Sequence, residues 1–199
     1  YKRQAVPDTL LSDIAKQVVP LLKENATMIM LDPAVPYAGG IPLREGITYV
    51  VTHPCHPALF REQETPEARR DFFGGVAAVQ DIVMALMQGS EENFKEAEKL
   101  CRKMFAPVDK CHRVTLKQMA ILEPALSEVI GCATSIILKE AIDTVINDYG
   151  LPEEAAKSFM LGHMNISLSI AFKKIDADFS DAAKVAINLG KEWIFRKDW

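Results

Sequence analysis

Two imidazoles and a thiol fall close together in Thr52-His53-Pro54-Cys55-His56-Pro57. Imidazole is the side chain that gives and takes protons near neutral pH, and it also anchors polar substrates. Each proline keeps the residue before it extended, so His53 and His56 should be held stiffly. Alternation along an extended segment puts His53 and Cys55 on one face and His56 on the other. No second histidine or acidic cluster completes a tetrahedral ligand set, so no metal is expected. These residues read instead as an acid–base group, His56, and a substrate anchor, His53. The bland alternative is a loop that prolines and histidines merely shape.

A carboxylate is the second candidate. From Met119 to Leu138 the sequence is apolar nearly all round, with Glu123, Ser127, Glu128, Thr134 and Ser135 as exceptions. A helix without a polar face is buried, and a carboxylate inside it must be paired or at work. Glu123 therefore reads as a general acid–base or as half of an ion pair with His112 or Arg113. His163 and Asn165 lie two positions apart and point to different sides of a helix. His163 is a third acid–base candidate, and Asn165 beside Ser169 a substrate contact. Gln80 follows the small residues Gly74-Gly75-Val76-Ala77-Ala78 and is either a substrate contact or part of a tight helix crossing.

The elements that must position these groups can be read from periodicity. Gly46–Val51 is a short β-branched and aromatic run that predicts a buried strand, and Thr27–Leu31 predicts another. Asp8–Lys23 has the apolar spacing of a helix, which Pro20 should kink or end. Ligands of open α/β sheets bind outside the carboxyl ends of strands, where His53 and the pair Asp32-Pro33 fall. Residues 67–88 predict a largely buried helix with Phe72, Val76, Val79, Val83 and Leu86 on one stripe. Further helices are predicted over 90–104, 115–148, 153–172 and 180–195, with 105–114 a short, extended connection.

The fold class is therefore α/β plus all-α: half of a Rossmann-type parallel sheet in residues 1–60, then an all-helical domain in 61–199. Neither Gly39-Gly40 nor Gly74-Gly75 fits G-x-G-x-x-G after a strand. The chain opens on Tyr1 and reads as a fragment whose nucleotide-binding turn lies upstream.

Apolar residues make up 49% and charged residues 25%, ordinary for a globular protein. Net charge of −4 and a pI near 5.6 argue against nucleic acid or anionic lipid as partner. Cys55, Cys101, Cys111 and Cys132 are scattered without a C-x-x-C pair, as reduced cytoplasmic thiols are. No unbroken apolar span of membrane length stands out, so no membrane is expected.

The run Tyr49-Val50-Val51-Thr52-His53-Pro54-Cys55-His56-Pro57 resembles the 6-phosphogluconate-dehydrogenase-like oxidoreductases. The likeness continues through Arg70-Asp71-Phe72-Phe73-Gly74-Gly75, Gln118–Glu128 and Gly162-His163-Met164-Asn165. It is similar to the phosphogluconate dehydrogenase C-terminal-like branch, which includes D-apionate oxidoisomerases. That resemblance implies a Rossmann domain carrying NAD or NADP, with Asp32 and Pro33 toward the cofactor, and a helical domain that forms a homodimer. It implies oxidation of a hydroxyl on a small sugar acid or hydroxy acid, coupled in the oxidoisomerases to a carbon shift. Hydroxyacid relatives carry a catalytic lysine where this chain has Val79 and Gln80, so the acid–base role must move to Glu123, His56 or His163. Two rival readings are a non-catalytic dimerisation module with a vestigial dinucleotide site and a metal-dependent hydrolase built on His53, Cys55 and His56.

Overall fold

Apolar residues in consecutive rather than alternate positions mark a strand covered on both faces, and Tyr49-Val50-Val51 is such a run. In the computed structural model, which describes residues 6–194, they lie within strand β2 (Thr48–Pro54) and are wholly buried. Tyr49 and Val51 join a core with Val19, Met30, Ala85 and Met119, while Val50 joins another with Ile82, Met84, Phe94 and Cys101. β2 pairs in parallel with β1 (Thr27–Met30) and antiparallel with β3 (Gln80–Gln88). β4 (Val108–Arg113) runs parallel to β3, giving the order β1-β2-β3-β4. The sheet is mixed, with helices around it, a half Rossmann-type sheet as the fold class requires.

Helix α1 (Asp8–Val18) gives way to a tighter turn, Val19–Leu21, at Pro20. A short helix, α2 (Ala34–Tyr37), occupies the breaker-rich loop after β1. α3 (Glu91–Met104) begins at Ser90, whose hydroxyl accepts the Asn93 N–H at 3.1 Å.

The helix expected over 67–88 is absent, and residues beyond 60 are not all helical. Gly74 and Gly75 take φ of +74° and +88°, left-handed values that a right-handed helix cannot continue through. Gln80–Gln88 is instead a strand with neighbours on both edges. Buried on both faces, it has lost the two-residue alternation that would have marked it as a strand. Phe72, expected on the buried stripe of that helix, is 80% exposed, and its neighbour Phe73 81%.

Gly89 ends β3 at φ +127°, and a Cβ there would lie 2.6 Å from the Thr48 hydroxyl. Gly89→Ala is expected to lower the unfolding free energy by about 1–3 kcal/mol, measured by denaturant titration.

Thr115 and Gln118 cap α4 (Leu116–Ala120) reciprocally, side chain to backbone in each direction. The next residues, Ile121–Cys132, form a wider helix with Pro124 inside, and α5 (Ala133–Asn147) follows. Proline lacks the N–H that a regular turn needs, and wider turns are one way to absorb the loss. Together Leu116–Asn147 make a 32-residue helix that by length and composition alone is apolar enough to cross a membrane. This corrects the expectation that no such span exists. Near its start the helix is seated on the sheet, because Met119 is fully buried in the core shared with Tyr49 and Val51.

The chain divides into two units, Tyr1–Thr134 and Ser135–Trp199. The second contains α6 (Glu153–Ala171) and α7 (Asp181–Ile194). Within it an apolar cavity of about 400 Å³ is lined by Ile142, Val145, Leu151, Phe159 and Met160.

Candidate functional site

β1 and β2 are parallel, with Met30 opposite Val51, so both strands deliver their carboxyl ends to one edge of the sheet. Two residues beyond that pair stand Asp32, just past the end of β1, and His53, on β2. Over the same region comes the helix that Met119 anchors. Glu123, four residues on from Met119, shares its side of the helix. The Glu123 Oε1 atom lies 3.0 Å from His53 Nε2.

The chemistry of His53 follows from its two partners. Nδ1 is 2.8 Å from the Pro54 carbonyl, which can only accept, so Nδ1 carries a proton. Nε2 faces the carboxylate, and one proton lies between them. The hydrogen bond to Glu123 raises the His53 pKa above its ordinary 6.5, opposed by burial and helped by the charges of Glu123 and Asp32.

Two acceptors beside this pair are unused. Glu123 Oε2 and Asp32 Oδ2 are buried, and neither finds a hydrogen-bond partner among the described residues. Asp32 Oδ1 is occupied by the N–H of Ala34 at 2.9 Å, at the start of α2. A buried carboxylate oxygen without a donor is costly, so each is a ready acceptor for a hydroxyl brought by a ligand.

A raised histidine pKa stabilises the folded state at low pH and ceases to do so as pH climbs through the folded value. The stability gap between wild type and Glu123→Gln should therefore be widest below about pH 6.5 and narrow above the raised folded value. Denaturant unfolding at both ends of that window checks it; an equal gap at both would contradict the pairing.

His56 stands beside the pair, its ring meeting that of His53 edge to face at a centroid distance of 5.8 Å. Its backbone takes φ +58°, rare outside glycine and not the extended geometry expected of a residue before proline. Its Nδ1 is 2.8 Å from the Phe73 carbonyl and so carries the proton there, leaving Nε2 as a lone-pair acceptor.

Asp71, which sequence reasoning passed over, organises the loop after His56. Its carboxylate accepts the N–H groups of Gly74 on Oδ1 at 3.0 Å, and of Val76, Ala77 and Ala78 on Oδ2 at 2.9–3.1 Å. These bonds, Ala77 and Ala78 foremost, hold its pKa below the usual carboxylate value. An Asp three residues before a glycine pair is the signal that could have found it, because Asp bonds the backbone just ahead in turns.

Gln80 is 1% exposed inside the sheet, its Nε2 donating to the Phe105 carbonyl at 2.9 Å, so it is a core residue rather than a substrate contact. The ion pairs considered for Glu123 are taken by others: His112 meets Asp81 at 2.8 Å and Arg113 meets Glu91 at 2.5 Å. In the second unit His163 is exposed and stacks on Phe159, giving Nδ1–H to the Phe159 carbonyl at 2.8 Å. Asn165 lies on the same helix, where its backbone carbonyl accepts the Ser169 hydroxyl at 2.8 Å.

The family described as phosphogluconate dehydrogenase (decarboxylating), C-terminal, matches residues 61–199. The D-apionate oxidoisomerase of Cupriavidus necator is 48% identical over 196 residues, which cover 98% of this chain and 70% of that protein. The enzyme of the same name from Rhizobium rhizogenes is 44% identical, with the same coverage of 98% and 70%. Among solved structures, a semialdehyde dehydrogenase NAD-binding protein from Cupriavidus necator, in complex with calcium and NAD, superposes with a TM-score of 0.92. It is 47% identical and covers 98% of this chain and 70% of that one. An oxidoreductase from Jannaschia sp. gives a TM-score of 0.90 at 39% identity, covering 98% of this chain and 69% of that one.

Proposed function

Because the chain belongs to the phosphogluconate dehydrogenase (decarboxylating) C-terminal family, a family of oxidoreductases, we propose that it oxidises a hydroxyl of a small polyhydroxy acid of the D-apionate kind. The observation that carries this is the His53–Glu123 pair with a vacant buried acceptor on the carboxylate. Glu123 Oε2 takes the proton of the substrate hydroxyl while Nε2–H of His53 keeps hold of Oε1. The imidazolium also offsets negative charge that develops on the substrate oxygen.

Residues of this chain fit an NAD(P) cofactor at the carboxyl end of β1. There Asp32 Oδ2 is an acceptor in want of a hydroxyl donor, and Pro33 lies beside it. When bound, the cofactor supplies the hydride acceptor. His56 gives the site a second, separate acid–base group. An oxidation followed by a carbon shift moves protons on two different oxygens, and one pair cannot serve both at once. The relatives named oxidoisomerases support this reading of two groups.

We further infer that the protein acts in the cytoplasm as a homodimer assembled through its helical unit. Apolar side chains left open in that unit, such as Phe159 at 67% and Val185 at 64% exposure, support the dimer. The deciding experiment is turnover of a panel of sugar acids with NAD and with NADP, followed by nicotinamide absorbance. D-apionate or a close analogue should be the best substrate. Binding of such acids without turnover would favour the non-catalytic dimerisation module instead.

A further inference from the structure

The peptide unit joining Phe73 to Gly74 is gripped at both ends. Its carbonyl, on Phe73, accepts the Nδ1–H of His56 at 2.8 Å. Its N–H, on Gly74, donates to Asp71 Oδ1 at 3.0 Å and shares that proton with the Asp71 backbone carbonyl at 3.3 Å. In a trans peptide the C=O and N–H point in opposite directions across one rigid plane, so fixing one end aims the other. A carboxylate at the N–H end also draws the peptide's electrons toward the carbonyl and makes it a stronger acceptor.

The plane has little room to turn. Asp71 Oδ2 binds the next three N–H groups, of Val76, Ala77 and Ala78, and so fixes the loop beyond it. The side chain of Gln80 fills the space beneath Gly74, where an added Cβ would come within 2.5 Å of Nε2. At φ +74° only glycine takes this conformation without strain.

From this geometry we propose that Asp71 is a positioning residue for His56, acting through the Phe73–Gly74 peptide as an Asp–peptide–His relay that, in the neutral ring, holds the proton on Nδ1 and so leaves Nε2 of His56 as the atom that accepts one. The relay rests on the assignment of His56 as the second acid–base group, but it makes a claim about the ring that holds whatever the substrate is. Of the two neutral forms of imidazole, the loop selects the one with its proton on Nδ1. When Nε2 takes a proton, the polarised Phe73 carbonyl stabilises the resulting imidazolium. Asp71 touches neither substrate nor cofactor in this scheme.

Long-range proton–nitrogen correlation spectra of nitrogen-labelled protein test it, and the chain's four histidines make assignment tractable. In wild type above the titration of the ring, His56 should show a protonated Nδ1 and a bare Nε2. The Gly74 amide proton should lie well downfield of ordinary glycines. A proton on Nε2, or a Gly74 amide in the ordinary range, overturns the relay without any variant being needed. Asp71→Asn can offer one acceptor oxygen only, and Oδ2 has three N–H groups to satisfy, so its amide NH₂ is left facing the Gly74 N–H. In that variant the His56 signal should shift to the Nε2–H form or a mixture, and kcat should fall by about 10–100-fold with KM little changed. A folded Asp71→Asn protein whose His56 keeps its wild-type form would overturn the role of Asp71. Turnover failing in wild type, with the ring signals as expected, would sink the proposed reaction and leave the relay standing.

Discussion

Glu123→Gln is expected to lower kcat by about 10²–10⁴-fold, the usual worth of a positioned acid–base group, while the dissociation constant of NAD(P) stays within about twofold. The substitution keeps the shape of the side chain and its reach to His53. What it removes is the ability to hold a proton on the oxygen that is buried and unpartnered. It also removes the carboxylate hydrogen bond that is the largest cause of the raised His53 pKa. The neutral amide can still donate to or accept from Nε2, so the helix should remain seated on the sheet. Steady-state kinetics at saturating cofactor, with cofactor affinity from calorimetric titration, reads both numbers. Equal losses in turnover and in cofactor affinity would mean that Glu123 supports the architecture, not the proton transfer.

Both members of this pair could be read from the sequence, each for a different reason. His53 stood out because proline follows it at the end of a run of strand residues. Glu123 stood out because it interrupts an apolar helix. That the two meet is a long-range fact which local patterns cannot establish. It depends on Met119 anchoring one turn of the helix against Tyr49 and Val51, and such long-range packing has no signature in a short window of residues.

β1 and β2 were legible as short apolar runs bounded by breakers, α1 from its apolar spacing and α3 from its Ser90 cap. β3 was not. Ile82, Val83 and Leu86 happen to fit a helical spacing, and a strand covered on both faces offers no contrary period. The deciding information sat just upstream, in Gly74 and Gly75, whose left-handed geometry serves a turn around Asp71 rather than a close helix crossing. Gln80 was misjudged by the same error: on a helix it would have faced outward from small residues, whereas at the head of a strand it is sealed inside.

Ile136→Glu combined with Leu161→Glu is expected to convert a dimer into a monomer, raising the dimer dissociation constant by at least about 100-fold, some 3 kcal/mol. The two residues are 57% and 58% exposed, on α5 and α6 of the helical unit, and Phe159, Ile166 and Val185 add further open apolar area there. Exposed apolar surface on this scale marks a face that something covers. Two coverings suit a helix as apolar as Leu116–Asn147: lipid, or a second protein surface. Lipid fits poorly with the ion pairs that this unit carries on its helices, Lys139 with Asp143 at 2.5 Å and Lys157 with Glu153. Charged side chains at such positions are expensive in hydrocarbon and cheap at the wet rim of a protein interface. A carboxylate at either variant position would be buried without a partner in the dimer, which is why two substitutions suffice. Sedimentation velocity in detergent-free buffer decides the matter. Wild type should run as a dimer at micromolar concentration and the double variant as a folded monomer. A wild-type monomer, or a protein that stays in solution only with detergent, would remove the dimer and leave the open helical faces to another partner.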